Sequence, residues 1–486
     1  MMNKRKAKIV ATVGPACESE EKLREVLMAG VDVVRLNFSH GSHEEHRRRI
    51  ELIRKLSNEF KKAVSILQDL QGPKMRVGNL PKEGINLIEG DVVLLTAVDM
   101  NPPSGVDHVI PMEVPELARS VREGNRVLLD DGRLELQVIS SSEDAVKATV
   151  KLGGKLTSHK GVNLPGAKIL IPGFTEKDKE DLAFGLEQEV DYVAISFVRS
   201  ADDINVVRKA ISELKPERSD TRLIAKLERP EAIADLDAIL DVADGVMVAR
   251  GDLGVETSPQ TVPIMQKLII EAANKKSRQV ITATQMLESM ISNPRPTRAE
   301  ASDVANAVFD GTDAVMLSGE TASGQYPVEA VRMMDAIIQE AEAHDLEWGH
   351  CHPTPDPISM HDDSYSLARA AKELAQDTDV SCIAVFTRGG HTARVMSKTR
   401  PHVPVLAFTP DKRTYQRLGL YWGITPFLVP FASTVEQMIK TVESEIFESN
   451  LMKAGQQVVL VSGFPVGEKR PPNFVLLHTL GEGKHK

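Results

Sequence analysis

Cysteine is scarce, with three residues in 486, at Cys17, Cys351 and Cys382. Three scattered thiols form neither a disulfide framework nor a zinc pattern, so a reducing, cytoplasmic setting is expected. Long apolar runs are also missing. None approaches the ~20 residues that span a membrane. The opening MMNKRKAKIVATVGPA is basic and then apolar, but IVATVG is shorter than a secretory core and a charged run follows at once. A long basic block is absent as well, and the net charge is −10. Neither nucleic acid nor a membrane surface is therefore an expected partner. Low-complexity segments and short-period repeats are not seen.

What is present is an ordinary globular composition, 42% hydrophobic and 26% charged. A chain of 486 residues exceeds what one core supports, and two to four domains are expected. An acidic protein that binds phosphates must use local Lys and Arg, backbone amides and metal.

The first third alternates strand and helix signals. KIVATVG, VDVVRLNF and AVSILQDL read as strands, with EEKLREVLMAG and a charged run from about Ser42 as helices between them. The grammar breaks at Gly72-Pro73. Short β-rich runs with Gly and Pro turns then continue to about Pro165 and predict a small all-β insertion. Strand signals resume in DYVAISF, RLIAKLE, GVMVARG, QVITAT and DAVMLSG. Capping boxes are expected at Thr175 and Thr297. Three early and five later strands make eight, the number that closes a (β/α)8 barrel, although an open doubly wound sheet would give a similar string. Residues 344–360 lack periodicity, and beyond them a further α/β unit runs to the end.

Polar residues stand at nearly every strand end: Thr12, Arg35, Asn37, Asp69, Ser196, Lys226 with Glu228, Arg250 with Asp252, Thr284, and Ser318 with Glu320. Solvated loops explain any one of these. Arg35 and Lys226 lie inside apolar runs, where buried charges need partners. Glu228 and Asp252 suit magnesium, which takes one or two carboxylates beside substrate phosphate. They read equally well as ion-pair partners of Lys226 and Arg250. Asn37, Ser39 and Asp69 are hard oxygen donors for a second cation, or simply turn residues. Thr387-Arg388-Gly389-Gly390-His391-Thr392 is a phosphate cradle at a helix N-terminus or an ordinary βα turn.

KIVATVGPA, GVDVVRLNFSHG, GPKMRVG, KGVNLPG, EKDKEDLAFG, IAKLERPEA, MVARGDLGVE, ITATQMLESMI and the long run NPRPTRAEASDVANAVFDGTDAVMLSGETASGQYPVEAV together resemble the pyruvate kinase family over nearly the whole chain. The resemblance implies a (β/α)8 TIM barrel at 1–71 and 166–345, an inserted small β-barrel lid at 72–165 and a C-terminal α/β regulatory domain at 346–486. It implies phosphoryl transfer from phosphoenolpyruvate to ADP, giving pyruvate and ATP, the last step of glycolysis, by a cytoplasmic homotetramer. Magnesium, with manganese as an alternative, is implied at Glu228 and Asp252. Lys226, Arg35 and Thr284 are implied as catalytic, with Gly251 and Asp252 meeting the substrate carboxylate. Asn37, Phe38, Ser39, His40, Arg76 and Lys177 are implied near the nucleotide. Ser318 and Glu320 would support proton delivery.

One departure is specific. Many family members read DTKGPEIR and bind potassium beside Asn, Ser and Asp. This chain reads DLQGPKMR, with Leu70, Gln71 and Lys74 in place of Thr, Lys and Glu. It resembles the branch in which a lysine ammonium replaces the monovalent cation beside Asn37, Ser39 and Asp69, so no potassium requirement is expected. The loop Thr387–Thr392 lies where the family binds effector phosphates, and a sugar monophosphate or AMP is the expected activator. A magnesium–enolate lyase or aldolase, and a metabolite sensor without turnover, are the competing readings. The first needs neither the insertion nor Lys177 and Arg76, and the second does not explain why every expected catalytic position is filled.

Overall fold

The computed structural model describes residues 5–98, 102–113, 116–167, 172–349, 363–466 and 470–481. Cys351, the N-terminal residues before Arg5, the end of the GVNLPGAKILIP run and most of the aperiodic stretch near 344–360 lie outside them.

Eight parallel strands close into a barrel: Lys8–Thr12, Val33–Asn37, Ser65–Asp69, Tyr192–Ile195, Arg222–Leu227, Gly245–Ala249, Gln279–Ala283 and Ala314–Leu317. The open-sheet alternative is thereby set aside. The strands read as unbroken apolar runs because both faces are covered. Val10, Val33, Leu67, Ile224, Met247 and Ile281 pack inside the barrel. Their neighbours Ile9, Val34, Ile66, Leu223, Val246 and Val280 pack outward under the helices. Capping boxes start the helices at Ser42 with Glu45, Thr175 with Asp178 and Thr297 with Glu300. In each case a side-chain oxygen and a carboxylate satisfy amides that the first turn leaves unpaired.

Between the third and fourth barrel strands lies a seven-stranded sheet whose strands fall between Met75 and Asn163. Its two edges meet at an antiparallel bridge, Val77 to Met112. The Gly78 amide donates to the Pro111 carbonyl at 2.8 Å and the Glu113 amide to the Arg76 carbonyl at 3.2 Å. The sheet thus rolls round a core of its own, including Val93, Leu95, Val127, Leu136 and Val146.

The C-terminal unit is a five-stranded sheet in the order Ile424–Leu428, Val405–Thr409, Val380–Phe386, Gln457–Ser462 and Phe474–Thr479. The last strand is antiparallel to its neighbour. This unit plugs the N-terminal end of the barrel. Leu418, Leu420 and Tyr421 join the same apolar cluster as the barrel interior, and the Tyr192 hydroxyl donates to the Arg417 carbonyl at 2.7 Å. An ionic joint backs the apolar plug. Buried Lys398 places Nζ 2.5 Å from Asp313 Oδ2 and 2.7 Å from Asn274 Oδ1. Arg400 meets the other Asp313 oxygen at 2.9 Å. Among the described residues, no helix is long and apolar enough to cross a membrane.

Truncating one partner of such a pair leaves charge buried and typically costs about 3–5 kcal/mol. Lys398→Met is therefore expected to lower the melting temperature by roughly 3–5 °C at this chain size, measured by scanning calorimetry. An unchanged melting profile would show that the joint carries no stability.

Candidate active site at the barrel mouth

The charged residues of the strand ends converge on one buried carboxylate. Asp69 closes the third strand. Its Oδ2 accepts from Arg35 Nε at 2.7 Å and its Oδ1 lies 3.2 Å from Lys226 Nζ. Arg35 also donates to Thr12 Oγ1 at 3.0 Å. Burial alone would raise the Asp69 pKa, but Lys226 and Arg35 hold it below the ordinary carboxylate value. Burial likewise opposes the charge on Lys226, and Asp69 with Glu228 overcomes it, so the ammonium stays protonated. Lys226 Nζ further donates to Ser196 Oγ at 2.7 Å and sits 3.0 Å from Glu228 Oε1.

Glu228 is buried, and its Oε2 accepts from the Phe197 amide at 2.7 Å. Burial, with Asp252 as a second negative neighbour, pushes its pKa up to about 7 despite Lys226. A buried carboxylate with a raised pKa beside a second carboxylate is suited to a divalent cation, which would favour the charged form of Glu228. The donor set therefore fits magnesium. Lys226 and Glu228 form the ion pair that spacing suggested. Among the described residues, no group of three or more His, Cys, Asp or Glu side chains forms a cage. Magnesium differs from zinc in this respect, because it keeps several waters and substrate oxygens.

Arg250 turns away from the carboxylates. Its Nη2 and Nε donate to the Thr284 carbonyl at 2.8 and 3.2 Å, and Nη1 reaches Asp303. This fork supports Thr284 and Gln285, whose φ angles of 69° and 55° are left-handed. Thr284 Oγ1 accepts from the Gly251 amide at 2.8 Å and donates to the Ala283 carbonyl at 2.6 Å. The Gly251 amide, expected to face a substrate carboxylate, is thus directed at Thr284. Asp252 lies in the first turn of the helix Arg250–Glu256.

The positive residues on the insert side cluster as well. Lys74 Nζ is 3.9 Å from Asp252 Oδ1. Arg76 donates to the His159 carbonyl at 3.0 Å. Burial first, then Arg76, Lys74 and Arg35, lowers the pKa of His40, so that imidazole sits in a positive field. Lys177 Nζ donates to the Phe38 carbonyl at 2.8 Å and to Asp181 at 2.5 Å. Asn37 Oδ1 accepts from the Ser39 amide at 3.1 Å, the turn geometry that its sequence allowed. Glu320 accepts from the amides of Leu287 and Ser318 at 3.1 and 2.7 Å.

The loop Thr387–Thr392 is remote from the mouth. There Gly390 adopts φ 81° and starts the helix His391–Lys398. The Thr387 amide donates to Phe408, and His391 Nε2 lies 3.3 Å from Ser364 Oγ.

Ser196, Thr12 and Asp181 join the site although sequence reasoning gave them no role. The first two stood visibly at strand ends. Asp181 could have been found from its i, i+4 spacing to Lys177.

A closed parallel barrel with its ionic residues at the C-terminal strand ends is the architecture of a barrel enzyme. Comparison with known proteins narrows the class. The family model described as pyruvate kinase, barrel domain, matches residues 4–331, and that described as pyruvate kinase, alpha/beta domain, matches residues 365–478. A pyruvate kinase of Geobacillus stearothermophilus is 43% identical over 481 residues, covering 99% of this chain and 81% of the relative. Those of Staphylococcus epidermidis and Sporosarcina psychrophila are 42% and 41% identical, each across 98% of this chain and 81% of the relative. The chain belongs to the pyruvate kinase family and is a phosphotransferase.

Arg250→Ala removes the fork under Thr284. Turnover is expected to fall by one to two orders of magnitude, because misplacing a reacting group by about 1 Å costs ~10²-fold. Arg250→Lys, which cannot form the planar fork, is expected to rescue little. Steady-state kinetics check this, and wild-type rates in both variants would remove the role.

Proposed function

We propose that the chain transfers the phosphoryl group of phosphoenolpyruvate to ADP, giving pyruvate and ATP as the last step of glycolysis. The observation that carries this reading is the placement of Lys226 Nζ between Asp69, Glu228 and Ser196, with Arg35 on the far side of Asp69. Phosphoryl transfer needs positioning and charge neutralisation more than covalent help. Lys226 and Arg35 supply fixed positive charge to the moving group. They are already oriented by buried partners, so little reorganises during the reaction. Glu228 and Asp252 would hold magnesium, or manganese, which supplies Lewis acidity to the phosphate and enolate oxygens. Thr284, whose hydroxyl donates to the Ala283 carbonyl in the resting arrangement, would deliver a proton to the enolpyruvate carbon or orient the water that does. Ser318 and Glu320 support it through the Leu287 segment. Arg76 and Lys177, with Asn37, Phe38, Ser39 and His40, would line the nucleotide side, where Arg76, Lys74 and Arg35 add to burial in lowering the His40 pKa and supply a positive field that favours polyphosphate.

Potassium is not required on this reading. Lys74 brings a fixed ammonium to the mouth. Both Asp69 oxygens are engaged by Arg35 and Lys226, and a second cation would be repelled. The loop Thr387–Thr392 is assigned to an activating sugar monophosphate or AMP. On the same reading the domains are 1–71 and 166–345 for the barrel, 72–165 for the lid and 346–486 for the regulatory unit. The working form is a cytoplasmic homotetramer.

A coupled assay with phosphoenolpyruvate and ADP tests the activity. Lys226→Met is expected to lower kcat by at least 10³-fold, the size seen when a preorganised charge is removed from a developing anion. Near-normal turnover would refute the role given to Lys226. Activity is expected to be the same with and without potassium. Lys74→Glu is expected to make it potassium-responsive, and a many-fold potassium stimulation of the unmodified enzyme would overturn the account.

A further inference from the structure

The insert hangs from the barrel by two chain crossings. The outgoing one is set by Gly72. Its amide donates to Asp178 Oδ1 at 3.0 Å, its φ is 68°, and a Cβ there would fall 2.9 Å from Ser196 Cβ. The returning one leaves from the insert's last strand, Gly161–Asn163. Both crossings, with Phe197, Arg229 and Glu256, wall a small cavity directly behind the mouth.

Glu256 ends the helix that carries Asp252. It is buried, and its Oε1 accepts from Asn163 Nδ2 at 2.9 Å. This bond links the returning crossing to the barrel. Its Oε2 accepts no hydrogen bond although it is shielded from solvent. It faces buried Arg229, whose Nη1 is 3.7 Å away. An under-satisfied buried carboxylate oxygen is rare and costly, and a buried ion pair adds little stability over apolar packing. The position of this pair gives it a use. Arg229 follows Glu228 in the chain, and Glu256 lies one helical turn beyond Asp252. The two carboxylates suited to the metal are thus each tied to one half of the pair that grips the insert.

We propose that Glu256 is a positioning residue that latches the insert, holding Asn163 and the returning crossing in register with Glu228 and Asp252, so that lid and substrate site move as one. The inference rests on the kinase reading above for its kinetic consequence, but not for its mechanical one. Loss of the latch leaves the chemistry at Lys226 intact and misplaces Arg76 and the rest of the insert's face. Nucleotide capture should therefore suffer more than turnover.

The test compares the full-length enzyme with Asn163→Ala, Glu256→Ala, Glu256→Gln and the double alanine variant. Glu256→Ala and Asn163→Ala are each expected to raise KM for ADP about tenfold, the order expected for one hydrogen bond to a charged group, with a smaller change in kcat. Hydrogen exchange is expected to quicken in residues 72–76 and 160–164 and to stay unchanged in the barrel strands. The double variant should be no worse than either single one, because both remove the same contact. Glu256→Gln keeps an oxygen for Asn163 and should remain within about threefold of wild type, and it also serves if the alanine variant fails to fold. Additive effects, a loss confined to kcat, or unchanged exchange at both crossings would overturn the latch. If the unmodified chain does not turn over phosphoenolpyruvate with ADP, the kinase reading fails, and the exchange measurement still decides the latch.

Discussion

The mouth of the barrel depends on the carboxylate of Asp69. Arg35 and Lys226 come from the second and fifth strands, and without an anion between them two buried cations would repel. Without the cations, a carboxylate as buried as Asp69 would take up a proton. Each charge is stable only because the others are present, and together they fix the relative positions of four consecutive barrel strands. The result is an array of oriented charge that exists before any substrate arrives. That is the condition under which electrostatic stabilisation works best, since no reorganisation energy remains to be supplied during the reaction.

The rest of the chain is arranged around this array without intruding on it. The insert keeps its own apolar core and meets the barrel through Gly72, Lys74 and Asn163. The C-terminal unit caps the opposite end, sharing the interior cluster through Leu418, Leu420 and Tyr421. A barrel has two ends, and here the charged site occupies one while the other is sealed by a domain none of whose described residues reaches the mouth. The division allows the sealed end to vary in packing while strand ends such as Lys226 and Asp252 stay in place.

Much of this was legible in the sequence, for identifiable reasons. Strands buried on both faces leave apolar runs, and capping boxes at Thr175 and Thr297 mark where helices begin. The eight barrel strands carried the first signal. The edge strand Ile424–Leu428 has a proline in its centre, and Phe474–Thr479 pairs antiparallel at the opposite edge with little full burial; neither stood out. In the site, polar residues ending apolar runs were visible, yet their partners were not. Arg250 sits beside Asp252 in the chain and was read with it, but its planar fork reaches the Thr284 carbonyl 34 residues away. Asn163 and Glu256 are 93 residues apart, and no local pattern relates them. Lys74 was read against Asn37, Ser39 and Asp69, and its nearest carboxylate in the structure is that of Asp252. Pairings made by chain crossings depend on the closed barrel and not on spacing.

The eighth barrel strand begins beside Asp313, in the grip of Lys398 and Arg400, and ends at Ser318, whose amide is held by Glu320. The five residue steps from Asp313 to Ser318 cover about 16 Å of extended chain. One hydrogen-bonded strand thus joins the ionic clamp at the sealed end to the carboxylate that also grips the Leu287 amide. The shortest mechanical path between the capping domain and the reacting end is one strand long. It needs no rearrangement of the core, because the two ends of that strand are already clamped to the parts that would have to communicate.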